Sequence, residues 1–405
     1  MSLLPGIVCA QDRPAAPSSQ PPTTAGDGGF AVQSANGDFQ LRFGLLVHAD
    51  ARFALADDAE QVIDAFAIRR LRPSLRGRFA RRFEFYLNPD FANGTLVVQD
   101  AYIDTVFSPA FRLRAGKGKT PFGLERLHSA SNMLFFERAL PTALAPNRDI
   151  GVQVLGDIAG GAVSYLAGVM NGVADGGSAD LDSNDGKDVS GRLVVRPFQK
   201  QPAGNPVRGL GLAISGSTGM QSGSLALPTL RTQSLLQPYF SYLGASADGR
   251  RTRYSPQAFY YHKAFGGFAE YVHSRVPVVE GALREEIAHT AWQVAGSLVL
   301  TGEAATDAGA GVRPRANFDF GNGHWGAFQV AARYHTLEVD EAARTLGFAL
   351  AGSSVKAAAW TLGLNWYLTP NFKYVVNFER TVFDGNADGA RPAENGLAFR
   401  TQINF

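Results

Sequence analysis

Trp360-Thr361-Leu362-Gly363-Leu364-Asn365-Trp366-Tyr367 alternates apolar and polar residues, and after a short turn at 368–371 the run Phe372-Lys373-Tyr374-Val375-Val376-Asn377-Phe378-Glu379-Arg380 does so again. Trp360, Leu362, Leu364 and Trp366 share one face, with Thr361, Gly363 and Asn365 opposite; Phe372, Tyr374, Val376 and Phe378 face away from Lys373, Asn377 and Glu379. A period of two is what an extended strand imposes, and it puts one face of each run toward an apolar medium and the other toward water. The tryptophans near the ends of the first run suit anchors at a membrane interface.

The same alternation closes the chain, where Leu397, Phe399, Ile403 and Phe405 fall on one face of 397–405. A Phe ending an alternating strand resembles the signal read by outer-membrane assembly machinery. Working backward, strands are expected at 38–47, 62–78, 83–91, 96–107, 110–117, 150–157, 162–170, 189–197, 209–217, 255–263, 266–275, 290–300, 325–336, 357–368, 371–381 and 396–405. That is about 16 strands, an even number. Brief joints at Ala80-Arg81, Ser108-Pro109, Ala159-Gly160 and Phe265-Gly266 alternate with long connections such as 119–149 and 218–254, the asymmetry of a membrane barrel. The expected fold is therefore all-β, a transmembrane antiparallel β-barrel, against a soluble sandwich that would alternate similarly but account for fewer strands.

Composition agrees. The 405 residues include 45 Gly, 28 Phe and 12 Tyr against one Cys and four Met, with 18% charged, as girdles of aromatics and tight turns require. No apolar stretch reaches the roughly 18 to 20 residues of a membrane-spanning helix, so any crossing is made by strands. Residues 1–10 read as a partial signal peptide, with Val8 and Ala10 at small-residue positions. Cys9 raises lipidation, which the bulk of Val8 disfavours, and the rest of the chain is free of disulfides and thiolate metal sites. Residues 11–37, rich in Pro, Ser, Thr, Ala and Gly, are expected to be a disordered linker, leaving 38–405 as the barrel.

Net charge is only +2, so the chain as a whole is no polyanion binder and no nucleic-acid partner is expected. The charge is local. Between Phe66 and Arg82 stand Arg69, Arg70, Arg72, Arg76, Arg78, Arg81 and Arg82 with no acidic residue. Alternation puts Arg70, Arg72, Arg76 and Arg78 on one side with Ser74, and leaves Arg69 opposite unless a bulge intervenes. Arg112 and Arg114 alternate with Phe111, Leu113 and Ala115, and Lys117, Lys119, Arg126 and His128 extend the basic run. Fixed positive charge on a lumen wall concentrates anions, and arginine grips oxyanions with two parallel donors. Arg78, Arg81 and Arg82 read better as solvated charge beside a turn.

Enzyme and metal motifs are weak. Gly118-Lys119-Thr120 has the end of a phosphate-cradling loop, but Leu113 stands where its first glycine belongs. Asp180-Leu181-Asp182-Ser183-Asn184-Asp185-Gly186 has the oxygen density of a calcium loop without its spacing or closing glutamate. Seven histidines show no metal spacing and no nucleophilic triad is legible, so no enzyme activity and no cofactor are expected, though a barrel enzyme assembled in space and an adhesin stay open.

Gly37-Asp38-Phe39-Gln40-Leu41-Arg42, the Arg69-Arg70 pair, Leu113-Arg114-Ala115-Gly116-Lys117 leading to Phe122-Gly123-Leu124-Glu125, Thr301-Gly302-Glu303, Arg333-Tyr334 and the 361–367 run occur in an order that resembles the phosphate-selective porins O and P of Gram-negative bacteria. The resemblance, from Gly37 to Phe405, implies a 16-stranded homotrimeric outer-membrane channel, in contact with lipid and lipopolysaccharide, whose loop at 119–149 folds inward to narrow the pore. It implies passage of phosphate, polyphosphate or related oxyanions, with Arg69, Arg70 and Arg114 around the constriction and Asp90 beside it; Arg72, Arg112, Lys117, Lys119 and Arg126 complete the expected site. Two departures leave a general or other-solute porin open. Leu46 stands where relatives carry a basic residue, and 232–238 lacks the arginines of their fifth loop, for which Arg250, Arg251 and Arg253 could substitute.

Overall fold

The computed structural model describes residues 23–55, 64–182, 185–306, 311–386, 389 and 391–405. Its strands are β1 (Thr23–Gly26), β2 (Gly29–Gln33), β3 (Gln40–Ala54), β4 (Ala65–Phe79), β5 (Phe83–Asp90), β6 (Val97–Ser108), β7 (Phe111–Lys119), β8 (Arg148–Ile158), β9 (Val163–Met170), β10 (Asp188–Val195), β11 (Leu210–Gly223), β12 (Leu230–Arg231), β13 (Pro238–Phe240), β14 (Ser246–His262), β15 (Phe265–Glu280), β16 (Leu283–Val299), β17 (Ala327–Val339), β18 (Ser354–Thr369), β19 (Phe372–Asn386) and β20 (Glu394–Asn404). Consecutive antiparallel pairing of β3–β11 and β14–β20, closed by β20 on β3 from Asn404↔Leu46 to Gly396↔Ala54, makes a 16-stranded barrel. Closure gives each of the 16 strands a partner on both sides, the condition for crossing a bilayer. Each of the 16 strands expected from the alternation is present.

Outward positions carry Phe66, Ile103, Val152, Val294, Trp360 and Leu362, all exposed on the barrel surface. On the side where β3 begins and β20 ends the turns are mostly brief, with Ala80, Arg81, Ala159 and Lys263 in the left-handed backbone region. The joint expected at Phe265-Gly266 lies instead at 263–264, because His262 pairs directly with Phe265. The strands around the long loops also reach beyond the expected bounds: β11 runs to Gly223 and β14 starts at Ser246.

The linker reading of 11–37 needs correction over Thr23–Gln33, which forms a hairpin whose second strand pairs with β3 from Phe30↔Phe43 to Gln33↔Gln40. β20 ends opposite Leu46, so the edge of β3 below that point has backbone groups to satisfy, and the alternating Phe30 and Val32 fit it. Phe405 meets the hairpin at its seam: its N–H and carbonyl both bond to Leu45, and its ring stands edge-on to Phe30 at 5.7 Å. The signal-peptide reading and Cys9 lie outside the described residues.

Two long connections fold into the barrel. Residues 120–147 bury Phe122, Leu124, Phe135, Phe136, Leu140 and Leu144, and the segment 224–245, with its small β12–β13 ribbon, buries Leu227, Leu230, Tyr239 and Phe240. Both pack on inward apolar residues of the far wall, including Val272, Val276, Val278, Ile287, Ala291, Leu337 and Ala357. The hydrophobic core thus lies inside one half of the lumen.

Candidate pore lining

The basic wall begins with a register shift. His48 pairs with Arg70, but the next residue, Ala49, pairs with Ile68, so Arg69 is an extra residue in β4. A bulge of one residue flips the parity of everything beyond it. Ile68 and Phe66 therefore face outward, 46% and 83% exposed, while Arg69 and Arg70 both reach the lumen. Below the bulge Arg72, Ser74, Arg76 and Arg78 stay inward, facing Leu46, Gly44, Arg42 and Gln40 of β3 across the ladder.

Three connected cavities follow this wall. The outer one, about 540 Å³, is bordered by Arg69, Arg70, Arg72, Arg126, Arg138 and Arg148. The middle one, about 460 Å³, shares Arg72 and Arg148 with it and adds Arg76, Arg114, Lys119 and Leu46. The inner one, about 400 Å³, shares Arg76, Arg114, Tyr86 and Tyr102 and adds Arg42, Arg78 and Arg112. Shared residues make one basic track along one side of the lumen.

Acidic residues along it hold particular guanidiniums in place. Asp90 accepts from Arg72 Nε at 2.7 Å and from the Leu71 and Ala92 backbone. Asp100 accepts from Arg148 at 3.1 Å, and Asp104 takes Arg114 bidentately at 2.7 and 2.8 Å. Arg114 also lies 3.8 Å over the Tyr102 ring and Arg76 4.4 Å over Tyr86, contacts that orient a guanidinium without neutralising it. Arg112 meets Glu84 at the half-exposed inner mouth. Among the described residues no carboxylate pairs with Arg42, Arg76 or Arg78 of the inner cavity.

Glu137, from the inward loop, does the opposite at the outer end. Its Oε1 accepts from Arg69 at 2.8 Å and Arg52 at 3.1 Å, its Oε2 from Arg70 at 3.2 Å, and Arg400 approaches to 3.9 Å. Burial disfavours the charged form, but Arg70, Arg69, Arg400 and Arg52 overcome it and hold the carboxyl well below the usual carboxylate range.

The loop sits against the far wall through side chains that accept from or donate to its backbone. Glu270 accepts from the Leu124 and Glu125 N–H groups, Asn377 from Phe136 and His335 from Leu140. Asn365, Lys373, Arg333, Arg400 and Gln402 donate to the carbonyls of Leu134, Met133, Glu137, Phe136 and Ser131. A loop buried in this way must have its polar backbone satisfied, and the inward face of β15–β20 supplies the partners.

The expected residues therefore divide. Arg69, Arg70, Arg72, Arg112, Arg114, Lys119 and Arg126 border the three cavities, and Asp90 is bonded to Arg72. Lys119 and Arg126 donate to loop carbonyls, Lys119 to Leu127 and His128 and Arg126 to Thr142, which fastens the base of the inward loop. Lys117 does not join them: it borders none of the three cavities and pairs with Asp180. Arg251 and Arg253 do not replace the missing fifth-loop cluster, because both are buried with Asp175, and Arg253 also with Asp188. Arg52, Arg148, Arg400 and Glu137 were not singled out from the sequence. Parity marks Arg400, which alternates with Gln402 in β20, whereas nothing local marks Glu137. The acidic run at 180–186 lies partly outside the described residues.

A closed 16-stranded barrel with an apolar outer face, an inward loop and an open charged track is an outer-membrane porin, a channel of the Gram-negative outer membrane rather than an enzyme. The sequence profile of the phosphate-selective porin O and P family matches residues 39–405, and the chain belongs to that family. No curated protein sequence matches it. Among solved structures it is similar to the outer-membrane channel DcaP of Acinetobacter baumannii (12% identity, TM-score 0.58, 92% of this chain and 99% of that one). It is also similar to the anion-selective porin of Comamonas acidovorans (11%, 0.56, 91% and 100%) and to the trimer form of OmpT of Vibrio cholerae (11%, 0.55, 91% and 99%). At such identities the likeness is one of fold.

Proposed function

We propose that the channel favours anions, with phosphate and related oxyanions as its preferred solutes. The observation that carries this is the continuous track from Arg69 and Arg70 past Arg72, Arg148, Lys119 and Arg114 to Arg76, Arg42 and Arg78, where guanidiniums outnumber the carboxylates that position them. In a narrow lumen with low-dielectric walls such charge lowers the energy of an anion and raises that of a cation. The family's name supports phosphate in particular, and the similarity to the anion-selective porin of Comamonas acidovorans supports anion preference.

Zero-current potentials across a planar bilayer under a salt gradient test the preference, and graded inorganic phosphate in chloride tests the solute. Anion-selective potentials with chloride current blocked by phosphate are expected; cation preference would defeat the reading. Selectivity without block would point to a general anion porin.

Trimeric assembly is part of the proposal. β5, β9 and β10 have eight residues each. Tilted about 45° at about 3.3 Å per residue they rise only about 19 Å, less than the apolar band of about 25 Å that lipid requires. A wall too short for lipid suits contact with another copy, and the OmpT trimer form is a neighbour of the same fold. Phe405 at the seam suits recognition by the assembly machinery, with lipid and lipopolysaccharide around the longer strands.

A further inference from the structure

We propose that Glu137 is a resident counterion that keeps the outer arginine cluster from trapping the anions that pass it, and so sets how tightly the channel holds its solute; this rests on the reading that the channel passes anions. Arg52 of β3, Arg69 and Arg70 of β4 and Arg400 of β20 converge on one point from three strands, and the Glu137 carboxylate stands there. Its two oxygens take three guanidinium hydrogen bonds, an arrangement that matches recognition of a free phosphate or carboxylate. The bulge at Arg69 exists in the same place and is what turns two successive arginines toward that point. Left without a carboxylate, the cluster would be a strong anion receptor in the wall of a channel. Conduction needs sites weak enough to leave, and a fixed negative charge of the protein's own makes the site weak.

Glu137, Arg69 and Arg70 border the outer cavity together, so a solute can reach this side of the cluster. The carboxylate is not the only group that holds the loop. The backbone carbonyl of Glu137 is held by Arg333, the flanking Phe136 and Ala139 by Asn377 and Glu125, and Leu140 by His335. The arginines also keep other partners, Arg70 with His48 and Arg400 with Asp50. Charge can therefore be removed while the scaffold stays.

The test compares wild type, Glu137→Gln and Glu137→Asp in planar bilayers, measuring chloride conductance, zero-current potential and half-blocking concentration of inorganic phosphate. Glu137→Gln should lower the half-blocking concentration by about tenfold or more and shift the potential toward anions, with Glu137→Asp, its charge one methylene back, in between. Unchanged block would overturn the proposal. So would weaker block with larger chloride conductance, the signature of a loop fastener. If Glu137→Gln does not insert, Glu137→Asp decides: tighter block than wild type supports the proposal and equal block defeats it. The wild-type potential judges anion preference by itself, whereas the direction of the shift between variant and wild type judges Glu137.

Discussion

From β3 to β8 the inward positions carry Arg42, Arg70, Arg72, Arg76, Arg112 and Arg114 and border open cavities, whereas from β14 to β18 they carry Ala247, Val272, Val276, Ile287, Ala291, Leu337 and Ala357 and lie under folded-in loops. Strand pairing and alternation are the same in both halves. The difference is what the inward face offers. Small and apolar residues interspersed with Glu270, Asn365, Asn377 and Gln402 give a loop both a dry seat and backbone partners. Arginine and tyrosine give neither and keep water. A porin of this kind is narrowed from one side, and its charge acts on the side left open.

The largest effect is expected from emptying the packed half. Deleting residues 129–140 removes Phe135, Phe136 and Glu137, and should raise single-channel conductance about twofold or more while the barrel still inserts, because loops tolerate deletion better than ladders do. Unchanged conductance would mean that the open half alone limits flow.

Reversing charge on the open half should come next. Arg76→Glu with Arg114→Glu places two carboxylates between the middle and inner cavities and should carry the zero-current potential to cation preference. Replacing Arg70, already countered by Glu137, should do less. Arg81 and Arg82 sit at the turn, Arg81 paired with Asp38 and mostly exposed, and their charge fades within about 8 Å at physiological salt. Their double replacement by Glu should leave the potential nearly unmoved; an equal shift would break the distinction between lining and rim.

A smaller effect probes the seat of the loop. A Cβ at Gly363 would stand 2.7 Å from the Asn377 amide and 3.4 Å from the Phe135 ring. Gly363→Val should therefore cost about 1 to 3 kcal/mol of local packing and appear as noisier current with unchanged ion preference. A changed preference would show that the packed half also sets selectivity.

The smallest response is expected from pH. Because its arginines hold Glu137 below the usual carboxylate range, it stays ionised as pH falls from 7 to about 5, and its contribution is lost only as pH drops through its lowered value. Selectivity should hold steady over that interval and rise toward anions only in stronger acid. An earlier rise, absent in Glu137→Gln, would show that the carboxyl is not held low.

Much of this was legible in the chain itself. The 16 strands were readable because period-two alternation is a local property, written in runs such as 360–367 and 397–405, and the side facing lipid must be apolar wherever the strand sits. Arg70, Arg72 and Arg76 and the pair Arg112 and Arg114 were readable for the same reason, since parity assigns a face, whereas Arg78, read as solvated charge beside a turn, lines the inner cavity. Parity also marked the trouble at Arg69 without resolving it: whether β4 carries a bulge depends on its register against β3, which no single strand states.

Only the closed barrel decided the rest. Glu137 meets Arg69 and Arg70 across 68 and 67 positions of chain, and Arg400 meets Asp50 across 350, because β20 returns to β3. Arg251 and Arg253 are basic in sequence yet committed to Asp175, which only the fold of the neighbouring loop reveals. The hairpin at 23–33 has a composition that forms nothing by itself and becomes a strand pair because β3 leaves it an edge. Alternation is fixed by backbone geometry residue by residue, but which charges neutralise which depends on distances between segments remote in sequence, and those exist only after the sheet has closed.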